Sequence, residues 1–233
     1  MTEPQKTLAF VVYPGLTSLD LVGPLQVLSA LDAAGPEFRT VVVGETLEPV
    51  TTDSPLRIAP SHTFDAVTDP YAIIVPGGGV PTLQALADRT LIGYLARAAE
   101  TAELAASVCT GSLLLGQAGL LNGREATTHW LFRDLLPAFG ATPVAKRWVE
   151  DGPVITAAGV SAGIDLALHL VERFAGTEAA RRVQFGIEYD PEPPLGPLDW
   201  SDVPEDLGSL RELVLREGLA GRPELRAKLL ARA

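Results

Sequence analysis

The stretch LAFVVY, residues 8–13, decides the fold because it has no polar residue on either face. A short strand of this kind is typical of a parallel sheet that is covered by helices on both sides. Pro14-Gly15 interrupts the run, and Asp20 to Leu31 then carries apolar residues at helical spacing. The first 31 residues therefore predict a buried strand followed by a helix that packs on it.

The same alternation of short apolar runs and helical segments recurs to about residue 189. Parallel strands joined by helices wind right-handedly, so the pattern predicts an α/β three-layer αβα sandwich with a mostly parallel central sheet. The predicted strands are Thr40–Val43, Tyr71–Val75, Leu104–Val108 and Ala126–Thr128, with a hairpin of Trp148–Glu150 and Val154–Thr156. The predicted helices are Thr82–Ala99 (broken near Asp88), Leu113–Ala118, Leu131–Phe139 and Ser161–Phe174, and another helix begins at Thr177. Ser161 is the expected N-cap of its helix.

Length and composition support one domain with an extension. The chain has 233 residues, of which 47% are hydrophobic and 20% charged, enough to bury a substantial core and to exclude intrinsic disorder. We expect an α/β domain over residues 1–189. Residues 190–233 begin with four prolines and continue with helical segments near Glu205–Glu217 and Pro223–Arg232. This C-terminal extension is expected to pack on the domain or on a partner subunit.

Charge and cysteine content narrow the functional classes. The net charge of -11 would repel a phosphate backbone, so nucleic acid is not an expected partner. Residues 1–7 show no leader pattern, and no uncharged run is long enough to span a membrane. The single cysteine excludes an internal disulfide and fits a reducing compartment. These features together predict a cytoplasmic protein.

Cys109 is the most informative position for chemistry. It lies where the apolar run Leu104–Val108 ends and the next helix begins, which is the edge where open α/β sheets bind ligands. A strand, a tight turn with small residues and a helix form the geometry of a nucleophile elbow. The helix N-terminus is expected to lower the pKa of the thiol. The alternative is that Cys109 is a buried apolar filler.

A second turn, Pro76-Gly77-Gly78-Gly79, ends the neighbouring strand at the same edge. We expect the backbone N–H groups of Gly78 and Thr110 to converge near the sulfur as an anion hole, with Gly79 lining the pocket. The alternative is a tight turn that needs glycine only for its backbone conformation.

Asp20 begins the first helix and therefore emerges at this edge too. Its apolar neighbours predict partial burial, and a buried carboxyl retains its proton more readily. Asp20 is therefore a candidate proton donor to an intermediate. The alternative is that it only caps the helix N-terminus.

The remaining candidates are weaker. His129 follows a predicted strand end and is a reserve partner for the cysteine, whereas a Cys-His dyad has no support from the local sequence. Trp130 and Trp148 are pocket candidates, although isolated aromatics more often belong to the core. Three scattered histidines and one cysteine offer no ligand spacing, so we expect no metal.

Six short runs carry a family resemblance. They are Tyr13-Pro14-Gly15, Leu19-Asp20-Leu21 with Gly23-Pro24, Pro76-Gly77-Gly78, Ser107-Val108-Cys109-Thr110-Gly111-Ser112, Ala126-Thr127-Thr128-His129-Trp130 and Ala162-Gly163-Ile164-Asp165. Together they resemble the ThiJ/PfpI superfamily, with its class I glutamine amidotransferase-like fold, and within it the isonitrile (isocyanide) hydratases. The resemblance spans about residues 8–189. It implies a flavodoxin-like sandwich, a homodimer and Cys109 as nucleophile.

The resemblance also implies a reaction. Many superfamily members have a Glu near the cysteine and a His after it, whereas this chain has Asp20 and Thr110, as the hydratases do. The implied activity is a lyase reaction that hydrates a small-molecule isonitrile to an N-substituted formamide through a thioimidate on Cys109, without a cofactor. Asp20 and Thr110 would orient water and move protons. Val160 would pack near the cysteine, where an Ile is expected.

The sequence leaves two other functions open. One is a redox-sensing or protective protein whose cysteine oxidises without turnover. The other is a ligand-sensing domain related to transcription regulators, although the C-terminal extension is short and lacks a basic recognition helix.

Overall fold

The structure is a computed structural model that describes residues 5–34 and 37–231. Residues 1–4, which belong to the segment predicted to carry no leader pattern, and Arg232 of the last predicted helix lie outside the described residues. The strands are β1 Lys6–Val11, β2 Phe38–Gly44, β3 Val50–Thr51, β4 Arg57–Ile58, β5 His62–Thr63, β6 Ala72–Val75, β7 Leu104–Ser107, β8 Glu125–Ala126, β9 Thr142–Pro143, β10 Trp148–Asp151 and β11 Val154–Ala157.

The helices follow the predicted alternation with the strands. They are α1 Ser18–Ala34, α2 Gly79–Ala85, α3 Arg89–Thr101, α4 Gly111–Gln117, α5 Ala162–Ala175, α6 Thr177–Gly186, α7 Asp206–Gly218 and α8 Pro223–Leu230, with 3-10 helices at Phe64–Ala66 and Trp130–Phe139.

The central sheet has seven strands in the order β10-β11-β7-β6-β1-β2-β5. β1 lies inside it and pairs in parallel with β2 and β6. The pairs β6–β7, β7–β11 and β2–β5 are also parallel, and only β10 runs antiparallel, in its hairpin with β11. The predicted mostly parallel sheet and the hairpin are therefore confirmed. The chain has the flavodoxin-like α/β fold.

Two groups of helices cover the sheet. α1 packs on α5, and α3 and α4 pack on each other and on β6. Small residues let α1 and α5 approach closely: a Cβ on Gly23 would lie 3.3 Å from Ile164, and one on Gly163 would lie 3.3 Å from Pro24. Burial of the apolar strands between these helix layers is the main source of stability.

Two local signals in the sequence concern helix starts: a break near Asp88 and an N-cap at Ser161. The break near Asp88 is confirmed, since its side chain accepts hydrogen bonds from the N–H groups of Thr90 and Leu91 and begins α3. Ser161 occupies the N-cap position of α5, as expected, but its side chain does not cap the helix. Ser161 has helical backbone angles and makes no side-chain cap bond, and its hydroxyl oxygen accepts from Arg147 instead.

The strand expected at Ala126–Thr128 is shorter than predicted and lies outside the main sheet. Glu125 and Ala126 pair with Thr142 and Pro143 in a separate two-stranded sheet. The next residue leaves this pairing because its N–H donates to the hydroxyl of Thr156 in β11.

The C-terminal extension contacts the α/β unit through its helices. α7 packs on α2, where a Cβ on Gly218 would lie 2.6 Å from Cβ of Leu83. Val214, Leu215 and Leu229 are buried. Among the described residues, no helix has the length and apolar content needed to cross a membrane. The division of the chain at residue 190 stays a prediction.

Tyr94 generates a prediction about stability. Its ring is buried and stacks on Phe64, but its hydroxyl has no hydrogen-bond partner among the described residues. An unpaired buried hydroxyl costs about 1–3 kcal/mol. Tyr94→Phe is therefore expected to leave the free energy of unfolding unchanged or to raise it by about 1 kcal/mol, measured by urea denaturation. A loss of more than about 1 kcal/mol would show that the hydroxyl is satisfied.

Candidate active site at the carboxyl edge of the sheet

Cys109 lies in a strained turn between β7 and α4. Its backbone φ is +57°, a left-handed value that side chains other than glycine seldom adopt. Main-chain bonds hold it there: the N–H donates to the carbonyl of Ala158 at 2.9 Å, and its carbonyl accepts from the Thr128 hydroxyl at 2.9 Å. The residue is only 5% exposed. The expected strand-turn-helix elbow is confirmed, with strain concentrated at the cysteine itself.

The turn after β6 touches the cysteine turn backbone to backbone. A Cβ on Gly77 would lie 2.5 Å from the backbone nitrogen of Thr110, and one on Gly111 would lie 2.2 Å from the carbonyl oxygen of Val75. No side chain fits at either position without displacing the main chain. These two glycines are therefore required by close approach.

Asp20 lies in the first turn of α1 and is fully buried. Its Oδ2 accepts a hydrogen bond from the backbone N–H of Gly77 at 3.0 Å. The helix is capped by another residue, since Asp53 accepts from the N–H and the hydroxyl of Ser18. Asp20 therefore faces the turns after β6 and β7 and does not cap its own helix.

The environment of Asp20 raises the pKa of its carboxyl from 3.8 to about 7. Burial is the main cause, and the negative charge of Asp53 adds to it, whereas the Gly77 N–H and the nearby Cys109 side chain lower the value. Oδ1 is buried and has no hydrogen-bond partner among the described residues. A carboxyl with this pKa exchanges a proton readily near neutral pH.

The pKa of the Cys109 thiol is raised well above its ordinary value, first by burial and then by the charge of Asp20. The helix start after Cys109 had predicted a lowered pKa. The expectation is wrong because loss of solvation outweighs the backbone N–H groups of Thr110 and Val160, which interact with the sulfur and favour the thiolate. The resting cysteine is a neutral thiol next to a titrating carboxyl.

Of the two backbone donors expected for an anion hole, one is engaged elsewhere, and the hole itself stays a prediction. The N–H of Gly78 donates to the Thr110 hydroxyl at 2.9 Å, so that donor is already engaged. The backbone N–H of Val160, which precedes α5, interacts with the sulfur beside that of Thr110. The family resemblance had placed Val160 near the cysteine as a packing side chain, but a backbone donor from this residue was not predicted.

The other expected pocket residues lie in separate places. A Cβ on Gly79 would lie 3.9 Å from Val214, so this glycine lies beneath α7. Trp130 lines a cavity of about 540 Å³ between the 3-10 helix and residues 203–211, and Cys109 is not among its lining residues. Trp148 lines another cavity, of about 360 Å³, beside α5 and α6.

His129, the reserve partner of the cysteine, has a local role. Its Nδ1 accepts from the N–H of Leu131 at 3.4 Å at the start of the 3-10 helix. Burial, together with the charge of Arg133, lowers its pKa, so the ring is neutral at pH 7. Two further buried hydroxyls, those of Tyr13 and Thr82, form hydrogen bonds behind Thr110 and were not predicted from the sequence.

A sequence model of the DJ-1/PfpI family matches residues 6–173, and the chain belongs to this family. The crystal structure of a ThiJ/PfpI family protein from Pseudomonas syringae superposes with a TM-score of 0.86 at 36% identity, covering 97% of this chain and 91% of that one. Drosophila melanogaster DJ-1beta shares the fold at 22% identity, with a TM-score of 0.68 over 81% of this chain and 100% of that one.

Two curated relatives differ in what they do. Isonitrile hydratase of Pseudomonas putida is 43% identical over 188 residues, which is 80% of each chain. The transcriptional regulator CdhR of Pseudomonas aeruginosa is 27% identical over 75% of this chain, which spans 52% of the regulator. The chain is thus a homologue of an enzyme within a family that also contains regulators.

The raised pKa of Asp20 predicts a pH-dependent cost to stability. A carboxyl whose pKa is higher in the folded state destabilises the fold increasingly as pH rises from 3.8 to about 7, and the full cost of about 4 kcal/mol remains above that range. Asp20→Asn keeps an acceptor for the Gly77 N–H and removes the charge. We expect it to increase the free energy of unfolding by roughly 2–4 kcal/mol at pH 8 and much less at pH 4, by urea denaturation. An equal change at both pH values would contradict the assigned pKa.

Proposed function

We propose that the protein is a cysteine-dependent lyase that hydrates isonitriles to N-substituted formamides. The observation that carries the proposal is the pairing of a thiol with a fully buried carboxyl whose Oδ1 has no hydrogen-bond partner among the described residues. Similarity to the Pseudomonas putida hydratase supports the same reaction class. Hydration of R–N≡C needs a nucleophile and a proton at one carbon, and this pair supplies both.

The first step adds the S–H group of Cys109 across the terminal carbon of the isonitrile. Ionised Asp20 takes the thiol proton and passes it to that carbon while the sulfur forms a bond to it. The product is a thioimidate, R–N=CH–S–Cys109, and Asp20 is again a carboxylate. A pKa of about 7 suits a group that must both accept and release the proton near neutral pH.

The second step adds water across the C=N bond. Asp20 takes a proton from the water and delivers it to nitrogen, which gives R–NH–CH(OH)–S–Cys109. The hydroxyl proton then returns through Asp20 to the sulfur as the C–S bond breaks. The products are the formamide and the free thiol, so atoms and charge balance and no cofactor enters the proposed steps.

Backbone N–H groups near the sulfur favour the thiolate that forms during the first step. The backbone N–H groups of Thr110 and Val160 stabilise negative charge on sulfur, and they are fixed by the fold before substrate arrives. Burial keeps the thiol protonated at rest and limits its reaction with other electrophiles.

The same features argue against oxidation sensing as the main role. Susceptible sensor cysteines are exposed and have a depressed pKa. Cys109 is 5% exposed, and its pKa is raised. Formation of a sulfinate by dilute peroxide, without any turnover of isonitriles, would favour the sensing role instead.

Turnover of an isonitrile tests the proposal directly. Incubation with cyclohexyl or phenyl isonitrile is expected to give the matching formamide, followed by liquid chromatography and mass spectrometry. Cys109→Ala should abolish turnover, and Asp20→Asn should lower kcat by about 100-fold or more, because no other group takes its proton-transfer role.

Asp32→Asn is the matched control, because Asp32 lies near the opposite end of α1 and accepts from the N–H of Thr40. It should retain kcat within about 2-fold. Turnover that survives in Cys109→Ala, or its absence from the unmodified protein at every pH from about 6 to 9, would refute the proposed hydration.

The proton shuttle also predicts a pH profile. Asp20 must be ionised to take the thiol proton, so kcat/KM should rise as pH increases through about 7 and level off above it. The profile is measured with one isonitrile from pH 5.5 to 8.5. A decrease over this range would show that Asp20 must start the reaction protonated and would exclude the proposed first step.

A further inference from the structure

Three buried hydroxyls form a hydrogen-bonded chain behind the cysteine turn. The Thr110 hydroxyl bonds to Thr82 at 3.0 Å, and Thr82 bonds to the Tyr13 hydroxyl at 2.8 Å. Tyr13 ends the chain by donating to the carbonyl of Pro76 at 3.0 Å. The three residues come from the segment just after β1, from α2 and from the turn after β7, and all are buried.

The direction of each bond follows from counting hydrogens. Tyr13 has one hydroxyl hydrogen, and a carbonyl oxygen can only accept, so this hydrogen is committed to Pro76. Thr82 must then donate to Tyr13, and Thr110 must donate to Thr82. The hydroxyl hydrogen of Thr110 is therefore held on the side of α2.

The acceptor side of Thr110 is fixed as well. Its Oγ1 accepts from the N–H of Gly78, while the N–H of the preceding residue, Gly77, is held by Asp20. Two adjacent peptide groups thus connect the carboxyl to the threonine whose own N–H interacts with the sulfur. A movement of Thr110 would alter the geometry of both groups that act on substrate.

We propose that Tyr13 and Thr82 are positioning residues for this site, acting through Thr110. The predicted effect on kcat rests on the proposed hydration. The rate at which Cys109 is alkylated tests the positioning role independently of that function. The hydroxyl chain fixes the Thr110 side chain and thereby aligns its N–H with the sulfur. The hydroxyl of Thr110 is then a fixed support, and Asp20 carries the protons.

Substitutions at Thr82 separate a hydrogen-bonding role from a packing role. Thr82→Val keeps the shape and removes the hydroxyl, so Thr110 loses its acceptor. Thr82→Ser keeps the hydroxyl and loses a methyl group. We expect kcat for isonitrile hydration to fall by about 10-fold or more in Thr82→Val with KM within about 2-fold, and Thr82→Ser to recover most of the loss.

A pair of tyrosine variants provides a second, matched test. Tyr13→Phe removes the end of the chain and should lower kcat in the same way as Thr82→Val. Tyr94→Phe removes a buried hydroxyl that has no partner among the described residues, and it should leave kcat within about 2-fold. If Thr82→Val does not fold, Tyr13→Phe carries the test because it retains the buried ring.

Alkylation by iodoacetamide reports on the site without isonitrile, because Cys109 is the only cysteine of the chain. Misalignment of the Thr110 N–H should destabilise the thiolate and slow alkylation at pH 8 by about 3-fold or more in Thr82→Val and Tyr13→Phe. If the unmodified protein hydrates no isonitrile, the proposed function fails, and this contrast in alkylation still decides the positioning role.

Three results would overturn the proposal. The first is unchanged kcat and unchanged alkylation in Thr82→Val. The second is a Thr82→Ser variant as impaired as Thr82→Val, which would mean that the methyl group matters through packing. The third is a loss of activity in Tyr94→Phe equal to that in Tyr13→Phe, which would mean that any disturbance of the core has this effect.

Discussion

The close contact between the turns after β6 and β7 is the constraint on which the rest of the site depends. Gly77 and Gly111 let main chain lie directly on main chain, at distances that no Cβ permits. This contact places the N–H of Gly77 on Asp20 and the N–H of Gly78 on Thr110. The carboxyl, the threonine and the strained cysteine are therefore parts of one rigid arrangement, and none of them can be repositioned alone.

That arrangement holds two ionisable groups in a site that solvates neither well. Burial raises the pKa of Asp20 to about 7 and raises the pKa of Cys109 well above its ordinary value. The cost is loss of stability above the unfolded pKa of the carboxyl, and the benefit is a group that accepts and returns a proton near neutral pH. The proposed hydration does not require a low-pKa thiolate, because in that mechanism the carboxylate generates the nucleophile when substrate is present.

Elements with a clear periodic signal were predicted well from the sequence. Residues 8–13 indicated a central parallel strand, Asp88 indicated a helix break, and Asp151-Gly152 indicated the hairpin of β10 and β11. The sequence also placed Cys109 and Asp20 at one edge of the sheet, because a strand end followed by a helix start brings a side chain to that edge. The errors concern groups whose partners are distant in sequence: Ser161 interacts with Arg147, and Gly78 donates to Thr110.

The sequence by itself determined the alternation of strands and helices, the parallel sheet and the edge at which a thiol and a carboxyl emerge, since these follow from local periodicity and turn residues. Only the tertiary structure decided the ionisation of Cys109, the use of the Val160 N–H beside the sulfur, and the hydroxyl chain from Tyr13 to Thr110. The physical reason is that solvation and hydrogen-bond partners are set by which segments pack together, and one-dimensional spacing does not contain the depth at which a group is buried.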